Sequence, residues 1–225
     1  MKTNVIIFFT KVPFPGKTKT RLQPFFNIFE SYELHKSFIL DVLEIIKPID
    51  CDIMIFFEPN DQLNLLQNIL GNNYECIPQT GQNLGEKMKS ALDKTVELGY
   101  KKSILIGSDI PLIRKENIIN AFEILNTKDI VISPTQDGGY YLIGTKTAVP
   151  NIFAIEFSTH SVFEKTCDLI AKNNLTYGVG DTLFDIDEKA DILRLREKLQ
   201  KDKSEHNKET KKTIELIFSS RSDLK

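Results

Sequence analysis

Short apolar runs alternate with segments of helical period along most of the chain. Val5–Phe9 reads as a strand. Over Ser31–Lys47, Leu34, Phe38, Val42 and Ile46 recur four apart, the spacing of one helix face, and Pro48 lies just beyond. Further strands are predicted over Asp52–Phe57, Tyr74–Ile77, Ser103–Gly107, Asp129–Ser133, Tyr140–Ile143 and Leu175–Val179. Between and after them, helices are predicted over Asp61–Leu70, Glu86–Leu98, Lys115–Leu125, Ser161–Lys172 and Glu188–Leu199. Ser161 with Glu164, and Asp185 with Glu188, have the spacing of a capping box. Strand–helix alternation at this interval predicts an α/β fold, with a three-layer α/β/α arrangement around a mostly parallel sheet. Ligands of such sheets sit beyond the carboxyl ends of the strands, which directs attention to the loops after Phe9, Ile106 and Ser133. The pattern supports one domain over residues 1–200, followed by a charged tail at 201–225 with an apolar patch at Ile214–Phe218. That tail reads as a linker carrying a docking helix.

Composition narrows the function classes. The chain has 225 residues, of which 41% are hydrophobic, enough for a sizeable core. A net charge of -2 argues against broad electrostatic binding to nucleic acid or an anionic membrane, so any basic site is local. Cys51, Cys76 and Cys167 lie far apart, without zinc-ligand spacing, and fit a reducing compartment. No run approaches the ~20 apolar residues of a membrane span. A cytoplasmic location is expected.

The candidate chemistry begins directly after the first apolar run, at Lys11-Val12-Pro13-Phe14-Pro15-Gly16-Lys17-Thr18-Lys19-Thr20-Arg21-Leu22. Four cationic side chains, Lys11, Lys17, Lys19 and Arg21, surround a proline-stiffened turn with a glycine. A buried strand opening into such a loop is a phosphate-binding device. Arg21 can grip two phosphate oxygens with a planar fork, whereas Lys11 and Lys19 act as point charges. The plainer alternative is a turn with solvated charges. A P-loop is excluded because a glycine is required where Lys11 stands, and the loop holds no GxGxxG. In Gly107-Ser108-Asp109-Ile110-Pro111, a carboxylate at a strand's carboxyl end can meet a metal held on phosphates, or can simply brace a turn. In Asp185-Ile186-Asp187, residues two apart in extended chain point the same way. One of these carboxylates can cap the next helix while the other binds metal. Asp109 with Asp187 would meet the modest protein-ligand needs of Mg²⁺. Asp137-Gly138-Gly139-Tyr140-Tyr141 reads as a hairpin turn, and also as a backbone wall against a ligand. Gln79-Thr80-Gly81-Gln82-Asn83-Leu84-Gly85 could read a base or sugar, or cap a helix. His160 is too isolated to be assigned as a base, and His35 and His206 read as ordinary helix and tail residues.

Three ordered motifs carry a family resemblance. Lys-x-Pro-x-Pro-Gly-x-x-Lys-Thr-Arg-Leu, Gly-Ser-Asp-Ile-Pro and Asp-Gly-Gly-Tyr-Tyr-Leu-Ile-Gly resemble the bacterial GT-A-like, arsenosugar-biosynthesis-type glycosyltransferases. These belong to the wider nucleotide-diphospho-sugar transferase superfamily. The resemblance spans about residues 3–199. Phe157-Ser158-Thr159 stands where that family usually has Trp-Ser-Thr. The resemblance implies a GT-A/nucleotidyltransferase-like, Rossmann-type fold and a transferase dependent on Mg²⁺ or Mn²⁺. It implies Lys11, Lys19 and Arg21 as catalytic groups and Asp109 and Asp187 as metal ligands. Pro15, Gly16, Thr20, Gln79, Gly81, Gly85, Gly138, Gly139 and Tyr140 are the candidate nucleotide- and substrate-binding residues. The first expectation is glycosyl transfer from a nucleotide sugar to a small-molecule acceptor. The alternative is nucleotidyl transfer from a nucleoside triphosphate to a small phosphorylated or anionic acceptor. The loop's four cations suit a triphosphate, and Asp109 is a lone aspartate where typical GT-A enzymes carry Asp-x-Asp. A non-catalytic nucleotide-binding protein is the third reading.

Overall fold

The computed structural model describes residues 3–157 and 159–221. The first apolar run becomes strand β1 (Asn4–Lys11), which is buried along its whole interior. There follow α1 (Ile28–Ile46), β2 (Asp52–Glu58), α2 (Leu63–Leu70), β3 (Glu75–Pro78), α3 (Leu84–Glu97), β4 (Lys102–Gly107), α4 (Lys115–Ile124) and β5 (Ile130–Pro134). The chain continues through β6 (Tyr140–Thr145), α5 (Val162–Lys172), β7 (Tyr177–Val179), α6 (Lys189–Lys201) and α7 (Lys208–Ser220). The strands form one seven-stranded sheet in the order β3-β2-β1-β4-β6-β5-β7. β1 pairs in parallel with β2 and with β4, while β6 runs antiparallel to both its neighbours. The strand order therefore reverses direction at β1 and β4. In sheets of this kind the crevice for ligands lies at such a switch point, beside the loops leaving the strands' carboxyl ends.

Alternation along β1 divides the core. Ile6 and Phe8 join Ile39, Val42 and Ile46 of α1 and Ile118 and Phe122 of α4 on one face. Val5, Ile7 and Phe9 join Met88 and Leu92 of α3 and Ile170 of α5 on the other. A third cluster lies beyond the sheet and combines Leu22, Phe26, Leu34, Phe38, Ile186, Leu195, Ile217 and Phe218. Each such buried aliphatic or aromatic side chain contributes about 1.5–3 kcal/mol. Leu22 and Ile186 are fully buried, so they anchor the two segments that carry Arg21 and the paired aspartates.

The apolar patch at Ile214–Phe218 is the inner face of α7, with Ile214, Ile217 and Phe218 buried in this third cluster. Asp41 of α1 fixes the start of α7 by accepting hydrogen bonds from the Glu209 and Thr210 amides at 3.1 and 2.8 Å. Arg114 ties the connecting segment to α4, pairing with Asp202 at 2.8 Å and donating to Asn207 Oδ1 at 2.9 Å.

Several local expectations change. Helix α1 begins at Ile28, earlier than its apolar spacing indicates, because Asn27 and Glu30 form a reciprocal capping box. Ser161 does not cap α5 with its side chain, and its hydroxyl pairs with that of Thr159 at 3.2 Å. Neither Asp185 nor Asp187 caps α6. Asp191 does so from inside the helix, its Oδ2 accepting from the Asp187 and Glu188 amides at 3.1 and 2.8 Å. Both carboxylates of the Asp185-Ile186-Asp187 segment are thereby left for other work. No described helix is long and apolar enough to cross a membrane.

Candidate active site

The basic loop is shaped by its own short-range bonds. The Thr18 hydroxyl accepts from the Phe14 amide at 2.7 Å and donates to the Phe14 carbonyl at 2.9 Å. Gly16 sits at the tip with φ +81° and open space where a side chain would be. Thr18 is buried, whereas Thr20 is exposed and Pro15 half-buried. Lys19 then takes a left-handed backbone setting, φ 49°, uncommon for a lysine. This setting carries its side chain inward across the crevice.

There Lys19 meets both candidate metal aspartates. Its Nζ lies 2.9 Å from Asp109 Oδ1 and 3.2 Å from Asp187 Oδ1, and it donates to the Ile186 carbonyl. Arg21 Nη1 holds the other Asp187 oxygen, Oδ2, at 3.2 Å. Asp109 comes from the loop after β4 and Asp187 from the approach to α6, so the site joins segments far apart in sequence. Lys19 is 5% exposed at its side chain and Asp109 46%. Asp109 Oδ1 is sealed inside while the rest of the carboxylate faces solvent. Burial of the Lys19 ammonium acts to lower its pKa, but the charges of Asp109 and Asp187 outweigh this and raise it. Burial acts to raise the Asp109 pKa, and Lys19, then His35, outweigh it and lower it. Both groups are therefore charged at neutral pH. Asp185 differs: burial, then the charges of Asp137 and Asp187, push its pKa up to about 6.

His35 is the residue that periodicity conceals. It lies on the buried face of α1, with Nε2 3.1 Å from Ser108 Oγ and 3.8 Å from Asp109 Oδ1. Only the pairing of a histidine on an inward helix face with a Ser-Asp loop could have signalled it. Burial lowers its pKa to about 4, with Lys19 and Lys11 adding to the effect and Asp109 opposing it. The neutral imidazole is thus part of the fold, and the unfolded chain takes up its proton first. This contribution to stability is fully present above about pH 6.5 and is lost as pH falls toward 4. At about 1.4 kcal/mol per pH unit between the two pKa values, the loss is on the order of 3 kcal/mol. Urea titrations at pH 7 and pH 4.5 should show a smaller difference between the two pH values for His35→Gln than for wild type. An unchanged difference would sink the assignment.

The other candidates divide. Lys11 is exposed and leans toward Glu58 at 3.6 Å, and Glu58 also pairs with Lys87. Gln79 is buried across the ends of β1 and β2, where Nε2 donates to the Phe56 carbonyl at 3.0 Å and the Thr10 carbonyl at 3.4 Å. Gly81 lies in the loop opening α3, and Gly139 in the β5–β6 hairpin beside Thr135 and Asp137. Gly85 faces the Phe153 carbonyl, which a Cβ would meet at 2.6 Å, so close protein packing already accounts for it. Gly138 likewise lies against the His160 carbonyl. The Tyr140 side chain packs in the core shared with α3 and α5, and burial raises its hydroxyl pKa. Of the Phe157-Ser158-Thr159 triplet, Ser158 lies outside the described residues.

The donor set suits a hard divalent cation. Two carboxylates converge on one cationic point, and hard cations take oxygen ligands. Among the described residues no group of three or more His, Cys, Asp or Glu side chains forms a metal cage. A cation held by Asp109 and Asp187 would complete its shell with phosphate oxygens and water, as Mg²⁺ commonly does.

A 2-phospho-L-lactate guanylyltransferase of Methanocaldococcus jannaschii is 31% identical over 168 residues, covering 74% of this chain and 70% of that protein. The crystal structure of a Desulfovibrio desulfuricans G20 protein, provisionally described as a nucleotide-diphospho-sugar transferase, superposes with a TM-score of 0.92. It is 30% identical and covers 97% of this chain and 96% of that one. A nucleotidyl transferase from Methanothermobacter shares the fold at TM-score 0.60 and 11% identity, covering 88% of this chain and 99% of that one. The resemblance in fold is thus confirmed, while the curated relative acts in guanylyl rather than glycosyl transfer. Residues 42–159 match the family described as uncharacterized protein conserved in bacteria (DUF2064), and the chain belongs to that family.

Proposed function

We propose that the protein is a nucleotidyltransferase, which reverses the order of the two readings drawn from sequence. The chain is a transferase, and the group it moves is best read as a nucleoside monophosphate. The observation that carries this is the shared ion pair of Lys19 with Asp109 and Asp187, set beside a loop of four cations. A triphosphate brings more negative charge than the diphosphate of a nucleotide sugar, and so calls for more of these cations. The described activity of the curated relatives supports the same choice.

In this reaction an anionic oxygen of a small phosphorylated acceptor forms a bond to the α-phosphorus. The bond from that phosphorus to the α–β bridging oxygen breaks, and pyrophosphate leaves with the electron pair. Lys19, Arg21 and Lys11 oppose the charge that builds on the phosphates, the largest contribution a site of this kind makes. Asp109 and Asp187 would hold Mg²⁺ or Mn²⁺, whose chemistry is further neutralisation of phosphate charge. The Asp109 side chain is about half exposed, so a triphosphate and its metal would reach it from solvent.

Two measurements test the proposal. Thermal unfolding with Mg²⁺ should shift upward with nucleoside triphosphates, GTP first, by linkage. Pyrophosphate release from GTP should depend on an acceptor, with 2-phospho-L-lactate the first compound of a panel of phosphorylated hydroxy acids. Protection by nucleotide sugars alone, with no pyrophosphate release, would return glycosyl transfer to first place.

A further inference from the structure

We propose that Lys19 is the resident counter-cation of the crevice, standing in the free protein where a divalent cation binds, so that metal and triphosphate enter together. This rests on the nucleotidyltransferase reading of the site. The Lys19 ammonium is sealed from solvent and is shared by the two carboxylates at 2.9 and 3.2 Å. Its remaining polar contact is the Ile186 carbonyl. Arg21 takes the second oxygen of Asp187, so the two carboxylates are matched one for one by two cations. The backbone is bent to allow this. A lysine at φ 49° occupies a region that favours glycine or asparagine, and such settings persist only where surrounding contacts over-determine them.

A divalent cation on the same oxygens would lie beside a buried like charge, which is repulsive at close range and low dielectric. Lys19 must then leave, and leaving strips the ammonium of its oxygen partners on Asp109, Asp187 and Ile186. A phosphate oxygen in the crevice supplies the replacement. Metal binding thus releases a lysine that the triphosphate captures, and triphosphate binding vacates the carboxylates for the metal. Such coupling is reciprocal: each ligand tightens the other by the same factor. Together with Arg21, the lysine also keeps the two aspartates charge-balanced between turnovers.

The test reads Mn²⁺ binding directly, by the loss of the free-ion signal in electron paramagnetic resonance. It compares wild type and Lys19→Met, each with and without a non-hydrolysable GTP analogue. Wild type should bind Mn²⁺ at least tenfold more weakly alone than with the analogue. Lys19→Met should bind Mn²⁺ alone at least tenfold more tightly than wild type, with little further gain from the analogue. Equal Mn²⁺ affinity in free and nucleotide-loaded wild type would overturn the proposal. So would a Lys19→Met protein that binds free Mn²⁺ no better than wild type. Lys19→Gln serves if the methionine variant does not fold. If no nucleotide binds under any condition, the nucleotidyltransferase reading fails, and the comparison of free Mn²⁺ binding between variant and wild type still decides the role of Lys19.

Discussion

Asp109→Ala should lower kcat/KM for the proposed nucleotidyl transfer by about 10³-fold, with a melting temperature only a few degrees below that of wild type. The carboxylate does two things that alanine cannot. It is one of two oxygens-bearing groups converging on the cationic point, and it holds the Lys19 ammonium at 2.9 Å. Stability is expected to fall by only about 1–2 kcal/mol, because Lys19 keeps Asp187 and the Ile186 carbonyl, and half of the Asp109 side chain already faces solvent. Asp109→Asn sharpens the result. It preserves shape but removes charge, so activity should fall nearly as far as with alanine if charge is what matters. Steady-state pyrophosphate release, with melting curves in parallel, checks both variants. An asparagine variant within about tenfold of wild type would show that Asp109 braces the loop rather than acting on the phosphates.

Much of this site is legible in the chain because its parts are local and chemically distinctive. The basic loop announces itself by four cations around Pro13, Pro15 and Gly16, and Asp109 by its place at a strand's carboxyl end. Period-two reasoning puts Asp185 and Asp187 on one side of Ile186, and Ile186 is fully buried between the two partly exposed carboxylates. What sequence does not carry is which partner each group takes. Nothing local distinguishes Lys19, turned inward onto two carboxylates, from Lys11, turned outward toward Glu58. That difference depends on the Thr18–Phe14 turn and the left-handed backbone of Lys19. His35 is hidden for the opposite reason. It falls on the apolar face of a regular helix, where position alone predicts packing. Tyr140, a binding candidate by resemblance, packs partly into the core shared with α3 and α5, a placement that only the tertiary structure supplies. The parallel sheet follows from strand–helix alternation, and the antiparallel β5–β6 pair from the Asp-Gly hairpin turn, but the pairing of β6 with β4 carries no local signal.

That hairpin sets up the second large effect. Gly138→Ala should cost about 3 kcal/mol, a fall of roughly 6–12 °C in melting temperature for a chain of this size. A Cβ on Gly138 would lie 2.0 Å from the carbonyl oxygen of His160, and the residue's φ is +92°. The obstacle is main chain, so no rotamer change relieves it. Nor can the two segments simply part, because they are bonded twice. His160 Nδ1 pairs with the Asp137 carbonyl at 2.8 Å, and the Phe163 amide donates to the Gly138 carbonyl at 2.9 Å. Gly99→Ala isolates the contact from the backbone preference. Gly99 has a similar φ, +85°, but nothing within 4 Å of its Cβ position, so only the conformational cost of about 1 kcal/mol applies. Activity should follow stability at Gly138 but not at Gly99. Asp137 sits in the same turn, its charge reaches Asp185, and a displaced turn changes the field around the paired aspartates. If Gly138→Ala melts no lower than Gly99→Ala, the hairpin and the segment before α5 are not held together, and the carboxylate cluster cannot owe its arrangement to that contact.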